Sequence, residues 1–396
     1  LSIRIRAART VANRGNIVVP RWINTIARFF TGVLSFAGFM TCWVLSTSWL
    51  TVDAPRYGLG LMLAVALVPV AILVHELGHY AAARLAGMTV LSMNVFGLEL
   101  HAQRRGWRVA WSRSRLTGIN GYVFAVHSPD QPMRPQMLRM LVGGPAANFA
   151  IAALCGATGW LTLPGSPGYL ALAFGALNLV GCVANLIPQR SPAASDGLAL
   201  YQWLRTSDES AADLALMRSL SRLVFGQTSA ELPEAELATL ESQPVHLPII
   251  ALWFRFKANQ ERGEWAASVA RADRLGELVA ALDPPTRTAL SELLTLMRIE
   301  LAFSRAMLTG EGAWLENGRL TPKARRQYPW LRLRCEALAA ALRGDTQRCT
   351  QLLQLSRQQA DNSVDGSLVK SERMLRDAVA AVASERARRL PSQASF

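Results

Sequence analysis

The chain has 396 residues, 51% of them hydrophobic, and a formal net charge of +14, which is too long for one ordinary compact domain and leans toward insertion in a membrane. Residues 1–200 hold 16 Arg and five acidic residues, a surplus of 11, whereas residues 201–396 hold 26 basic and 23 acidic residues, a surplus of only 3. A basic excess confined to the hydrophobic half is what orientation in a lipid bilayer requires, and it leaves nucleic-acid binding without support.

Residues 1–28 form a basic segment in which Arg4, Arg6, Arg9, Arg14, Arg21 and Arg28 occur without one acidic residue. Four stretches follow that are long and apolar enough to cross a hydrocarbon core, which takes about 20 helical residues. They fall at 29–50, 59–83, 140–163 and 169–188, with Trp49, Tyr57 and Tyr169 at span ends where aromatic rings favour the interface. The connection between spans two and three carries eight Arg from Arg84 to Arg139, whereas residues 51–58 hold only Arg56 and Asp53, and 164–168 no charge. The basic side is expected to face the cytoplasm, which places both termini there. Nothing at the start has the form of a cleavable signal.

Within that connection, Val90–Phe96 and Gly121–Val126 read as short strands separated by turn residues. From about 205 onward the pattern is helical, with stop and start signals such as Thr321-Pro322 and Gly344-Asp345. Ala258, Gly263, Trp265 and Ala267, followed by Asp283-Pro284, faintly resemble a tetratricopeptide hairpin. The five cysteines are odd in number and lack C-x-x-C spacing, so no disulfide framework is expected.

The second span contains His75-Glu76-Leu77-Gly78-His79. On a helix, residues four apart share a face, so both imidazoles can serve one zinc ion while Glu76 reaches water bound beside them and acts as the base. Ionisable residues inside a span are costly and are retained for function, and this span has three within five positions. By helix rise His75 lies about 12 Å below the end of the span. A catalytic zinc needs a third protein ligand. Glu99 follows His79 by twenty residues but sits in a strand-like run, which makes it the second choice; Asp196, just past the fourth span, is the better candidate.

These features resemble the site-2 protease family of intramembrane zinc metalloproteases over about residues 59–200. The likeness rests on the His75–His79 motif in one span, Gly144-Pro145-Ala146-Ala147-Asn148 in the next, and Asn185-Leu186-Ile187-Pro188 followed by Asp196-Gly197 in the last. The resemblance implies His75, His79 and Asp196 as zinc ligands, Glu76 as the residue that activates water, and Asn185 as a holder of unwound substrate; Asn148 is grouped with it as a substrate-binding candidate. It further implies that the strands belong to a membrane-associated β-hairpin able to accept an extended substrate by strand addition. Two departures stand out. Asn185 and Asp196 are eleven residues apart where the family has about eight, and the hairpin's G-x-G is reduced to Gly97, with Gly118 and Gly121 nearby.

The expected molecule is therefore mainly α: a multi-pass protein of a bacterial cytoplasmic membrane. It has a basic segment 1–28, a transmembrane protease domain 29–204 with its core at 59–200, and a cytoplasmic helical domain 205–396. Its expected substrate is a transmembrane protein, and its helical domain is a candidate surface for a cytoplasmic partner. The rival is a non-catalytic membrane scaffold whose helical domain binds such a partner; a base beside the histidines argues against it, because a structural metal site needs ligands only.

Overall fold

The computed structural model of the protein describes residues 20–50, 56–111, 121–163, 165–190, 194–244, 246–317 and 328–389. Most of the basic N-terminal segment, Arg113, Arg115, Gly118 and Thr321-Pro322 lie outside them. The chain is mainly helical (76%), and among the described residues four helices are long and apolar enough to cross a membrane and there is one small antiparallel sheet. The described residues divide into two compact units, one from 20 to 102 and from 106 to 209, the other from 210 to 389 with the short segment 103–105.

The four long helices of the first unit are α1 (Arg21–Leu50), α2 (Tyr57–Leu85), α3 (Met133–Thr162) and α4 (Ser166–Leu186). α1 and α3 begin seven or eight residues before the apolar stretches do, because hydrophobicity marks only what suits the lipid while the hydrogen-bond ladder continues into polar sequence. The N-terminus of α3 is closed by the Glu209 carboxylate, which accepts from the amides of Met133 (2.7 Å) and Arg134 (2.8 Å), satisfying two of the amides that every helix start leaves open. Large apolar side chains such as Phe36, Met62, Val65, Phe149 and Trp160 are exposed on these helices, as expected of surfaces that face hydrocarbon rather than water. Small residues bring α2 and α3 together: a Cβ on Gly78 would run into the Gly143 carbonyl and Ala147, the close approach that membrane helices use in place of a hydrophobic drive.

Between α2 and α3 the chain forms not a single hairpin but a four-stranded antiparallel sheet. Its strands are β1 (Thr89–Val95), β2 (Leu98–Gln103), β3 (Gly106–Trp111) and β4 (Gly121–Val126), in the order β3-β2-β1-β4. Phe96 and Gly97, both with positive φ (50° and 86°), make the two-residue turn between β1 and β2. Such a turn matches the strand twist, and it interrupts what looked like one strand-like run. β4 returns to pair with β1 and thus forms one edge.

After α4, a tight loop leads to α5 (Asp196–Arg205). The second unit is all helical among its described residues. Its principal helices are α6 (Ala215–Val224), α7 (Glu234–Ser242), α8 (Leu247–Glu261), α9 (Trp265–Ala270), α10 (Ala272–Ala280), α11 (Pro284–Ala289), α12 (Ser291–Thr309), α13 (Ala313–Asn317), α14 (Pro329–Leu342), α15 (Thr346–Asp361) and α16 (Gly366–Arg389). Gly344 (φ 84°) ends α14, and the Asp345 side chain accepts from the Arg348 amide (2.9 Å) to start α15, as the dipeptide signalled. The segment with tetratricopeptide-like signals instead has its second helix split into α9 and α10, the former only six residues long. A core around Phe303, Leu338, Leu352, Leu375 and Val379 joins α12 and α14–α16.

Candidate metal centre

His75 and His79 lie one turn apart on α2, ten and six residues before its end at Leu85. By helix rise His75 is about 15 Å from that end. Both side chains are buried, as is Glu76. The space into which the imidazoles turn is made by Gly144 of α3, where a Cβ would run into His79 Nε2 and come within 2.8 Å of His75 Cε1. The next residue, Pro145, has no amide hydrogen and disturbs the helix one turn back. The backbone there serves the site: the Met140 carbonyl lies 2.7 Å from His79 Nδ1, and the Gly144 amide 3.3 Å from the same atom. The shorter contact assigns Nδ1 as a donor to Met140, which leaves Nε2 unprotonated and available to a metal.

Asp196 is delivered by the loop after α4. Ser195 ties this loop: its hydroxyl donates to the Ile187 carbonyl (2.7 Å) and accepts from the amides of Gln189 (3.1 Å) and Leu198 (3.3 Å), and its own amide donates to the Gln189 carbonyl (2.9 Å). Arg190 and Ala194 form a bridge that turns the chain back on itself, so the eleven-residue interval between Asn185 and Asp196 is taken up by an excursion rather than by distance. Asn24 of α1 fixes this turn, donating to the Arg190 carbonyl (3.1 Å) and accepting from the Arg190 amide (2.7 Å). Gly197 follows Asp196 because any Cβ there would collide with the Leu186 carbonyl at the end of α4.

The result is a convergence of three candidate ligand atoms from one helix, α2, and the start of another, α5. Asp196 Oδ2 lies 2.9 Å from His75 Nε2 and 3.3 Å from His79 Nε2, and the two Nε2 atoms are 3.1 Å apart. Ligands set tetrahedrally at 2.0–2.1 Å from zinc are about 3.3 Å from one another, so the donor set and spacing fit that ion. Burial would raise the Asp196 carboxyl, but hydrogen bonding to both imidazoles outweighs it and holds the group well below the usual carboxylate range. The oxygen that faces the two histidines is thus anionic.

Glu76 Oε2 is buried and has no hydrogen-bond partner among the described residues. The other side of the carboxylate abuts Gly121, the first residue of edge strand β4, where a Cβ would meet Glu76 Oε1 and come within 2.8 Å of its carboxyl carbon. Asn148, on α3, has its amide nitrogen 3.2 Å from His75 Nδ1, while its buried Oδ1 has no partner. Exchanging the amide's O and N gives that Oδ1 a donor, His75 Nδ1–H, and frees His75 Nε2 for metal as Met140 does for His79. Asn148 thus lies against His75.

Glu99 is not brought to the cluster. It is on β2, accepts from the Tyr122 hydroxyl (2.8 Å) and lies 3.7 Å from His101. Asn185 is half-buried in the last turn of α4. No motif in the sequence pointed to the parts played by Asn24, Met140 and Ser195; Gly121 stood out as a glycine at the start of a strand, without its contact to Glu76.

The family model for peptidase family M50, the site-2 protease family, matches residues 62–360, three quarters of the chain. The chain belongs to peptidase family M50. M50 proteins are membrane-embedded metalloproteases, and the four apolar helices of this member agree with that setting. No curated protein and no solved structure gives a significant match.

Proposed function

We propose that this M50 protein is a zinc endopeptidase that cuts transmembrane segments of other membrane proteins, with His75, His79 and Asp196 holding the ion. The observation that carries the reading is the meeting of His75 Nε2, His79 Nε2 and Asp196 Oδ2 within 3.3 Å, beside a buried carboxylate, Glu76, that has an oxygen to spare. Held by these three residues, zinc would supply Lewis acidity to the attacking water. Glu76 takes the proton of the attacking water and passes it to the leaving amine. Met140 and Asn148 keep the imidazoles in the tautomer that binds metal.

The substrate helix must unwind, since its amides are hydrogen-bonded to its own carbonyls. β4 is a sheet edge whose first residue lies against Glu76, which supports an extended substrate pairing there by strand addition. Asn185 is assigned to hold the unwound segment and Asn148 to position His75, with substrate contact a secondary role. The arginine distribution supports cytoplasmic termini; on this reading residues 29–204 are the transmembrane domain and 205–396 a cytoplasmic helical domain open to a protein partner.

Reconstituted with candidate single-span proteins, the native chain is expected to cleave one of them and Glu76→Gln to cleave none while keeping its zinc. Equal processing by the two would remove Glu76 from catalysis. A chain that binds no metal would favour the scaffold reading.

A further inference from the structure

The helical unit holds a partly open pocket of about 70 Å³ between α6, α8, α12 and α16, room for about five waters and so for the four heavy atoms of a guanidinium. Trp253 and Trp330 contribute aromatic wall, and Lys257, Glu300, Ser371 and Glu372 contribute polar groups. Two further carboxylates, Glu261 and Asp365, complete the lining. They are engaged elsewhere: Glu261 accepts from the Ala230 amide (2.8 Å), and Asp365 accepts from the Ser367 hydroxyl (2.9 Å) and the Leu368 amide (3.2 Å).

Lys257 Nζ is held by Gln260 (2.8 Å) and Glu300 (3.2 Å). Arg334, fully buried behind the wall, donates to Glu300 (2.8 Å) and has its Nε 3.3 Å from Glu372 Oε2 without hydrogen-bond geometry. Arg376 also acts on Glu372. What the arrangement leaves unmet includes atoms of neighbouring residues of α16: Glu372 Oε2 and Ser371 Oγ are both buried, both residues belong to the cavity wall, and neither atom has a hydrogen-bond partner among the described residues. Native interiors seldom leave such atoms unmatched. Burial pushes the Glu372 carboxyl up, against the pull of Arg334, Lys257 and Arg376.

We propose that this cavity binds an alkylguanidinium or alkylammonium group, which donates to Glu372 Oε2 and Ser371 Oγ and packs its charge against the indoles of Trp253 and Trp330. Indole faces attract cations of this type, most strongly where water is excluded. The same chemistry is offered by an arginine or lysine side chain of a polypeptide and by a free amine. The site is built from the helical unit alone and depends on no property of the metal cluster.

The test is isothermal titration of the full-length chain in detergent with agmatine, with butylurea as a neutral comparator lacking both cationic groups, with succinate, and with short peptides bearing one arginine or one citrulline. Agmatine is expected to bind at least tenfold more tightly than butylurea, with Ser371→Ala weakening it severalfold and Glu372→Gln abolishing it. Ser371→Ala leaves every ion pair in place, so it decides the matter even where Glu372→Gln fails to fold. An arginine peptide that binds more tightly than both agmatine and the citrulline peptide assigns the site to a polypeptide; agmatine at least as tight as the peptide assigns it to a free amine. Agmatine that does not bind, that binds no better than butylurea, or that binds Ser371→Ala unchanged overturns the proposal. Tighter binding of succinate overturns it in favour of an anion site at Lys257.

Discussion

Gly144 of α3 and His79 of α2 are so close that the histidine occupies the place a Cβ of residue 144 would take. Gly144→Ala must push both imidazoles aside, so zinc affinity is expected to fall about 10- to 100-fold, as for other losses of ligand orientation. Chelator competition measures this. Gly156→Ala is the control on the same helix, since its Cβ meets nothing within 4 Å; an equal loss there would trace the effect to the helix rather than to the histidines.

Asn148 and His75 give a second prediction of the same kind. Asn148→Asp keeps an acceptor for His75 Nδ1–H, whereas Asn148→Leu removes it and buries the imidazole without a partner. Zinc affinity is expected to survive the first change and to drop about 10- to 100-fold in the second. If Asn148 serves substrate alone, both variants bind zinc normally and only cleavage suffers.

Gly121→Val separates chemistry from metal binding. The added side chain enters the space of the Glu76 carboxylate: the three atoms nearest its Cβ all belong to Glu76. Zinc content is expected to stay near that of the native chain while cleavage falls at least 10²-fold, the contribution of a positioned base. Loss of zinc in this variant would mean that β4 supports the ligands themselves.

The buried pair Glu300–Arg334 predicts a pH effect on the helical unit. Burial of Glu300 would raise its carboxyl, but the charges of Arg334 and Lys257 outweigh it and bring it down to about 2, from an ordinary value of 4.5. A lowered folded value means stabilisation that is complete above 4.5 and drains away as the pH falls toward 2. Acid unfolding followed by circular dichroism should show that loss in the native chain and a flatter profile in Glu300→Gln. The latter begins about 3–5 kcal/mol less stable, because Arg334 is left buried beside a neutral group. An unchanged acid limb in the variant would assign the sensitivity to other carboxylates.

What was legible in the sequence was whatever a period or a spacing encodes. His75 and His79 share a face because they are four apart, and the four apolar helices announce themselves by length. The three motifs foreshadowed a cluster by their order, although nothing in the spacing told that the Arg190–Ala194 turn absorbs the long interval before Asp196. Contacts between distant positions were invisible. Asn24 and Arg190 are 166 residues apart, and a polar residue near the start of a hydrophobic helix gives no hint of its partner. The sheet was half seen: β1 and β4 are β-branched and apolar, whereas β2 and β3 carry Glu99, His101, Gln103 and Arg108, and their pairing shows only in the register. Buried ion pairs such as Glu300–Arg334 read in the sequence as ordinary helix-surface charges, because a helix face becomes buried only when its neighbours are known.

The ligand set itself is tested most directly by zinc X-ray absorption on the purified native chain, Asp196→Ala and Glu99→Ala. The account predicts two imidazole nitrogens with oxygen donors at about 2.0–2.1 Å and no sulfur, a pattern retained in Glu99→Ala and lost, with most of the metal, in Asp196→Ala. A spectrum unchanged by Asp196→Ala but abolished by Glu99→Ala would contradict it.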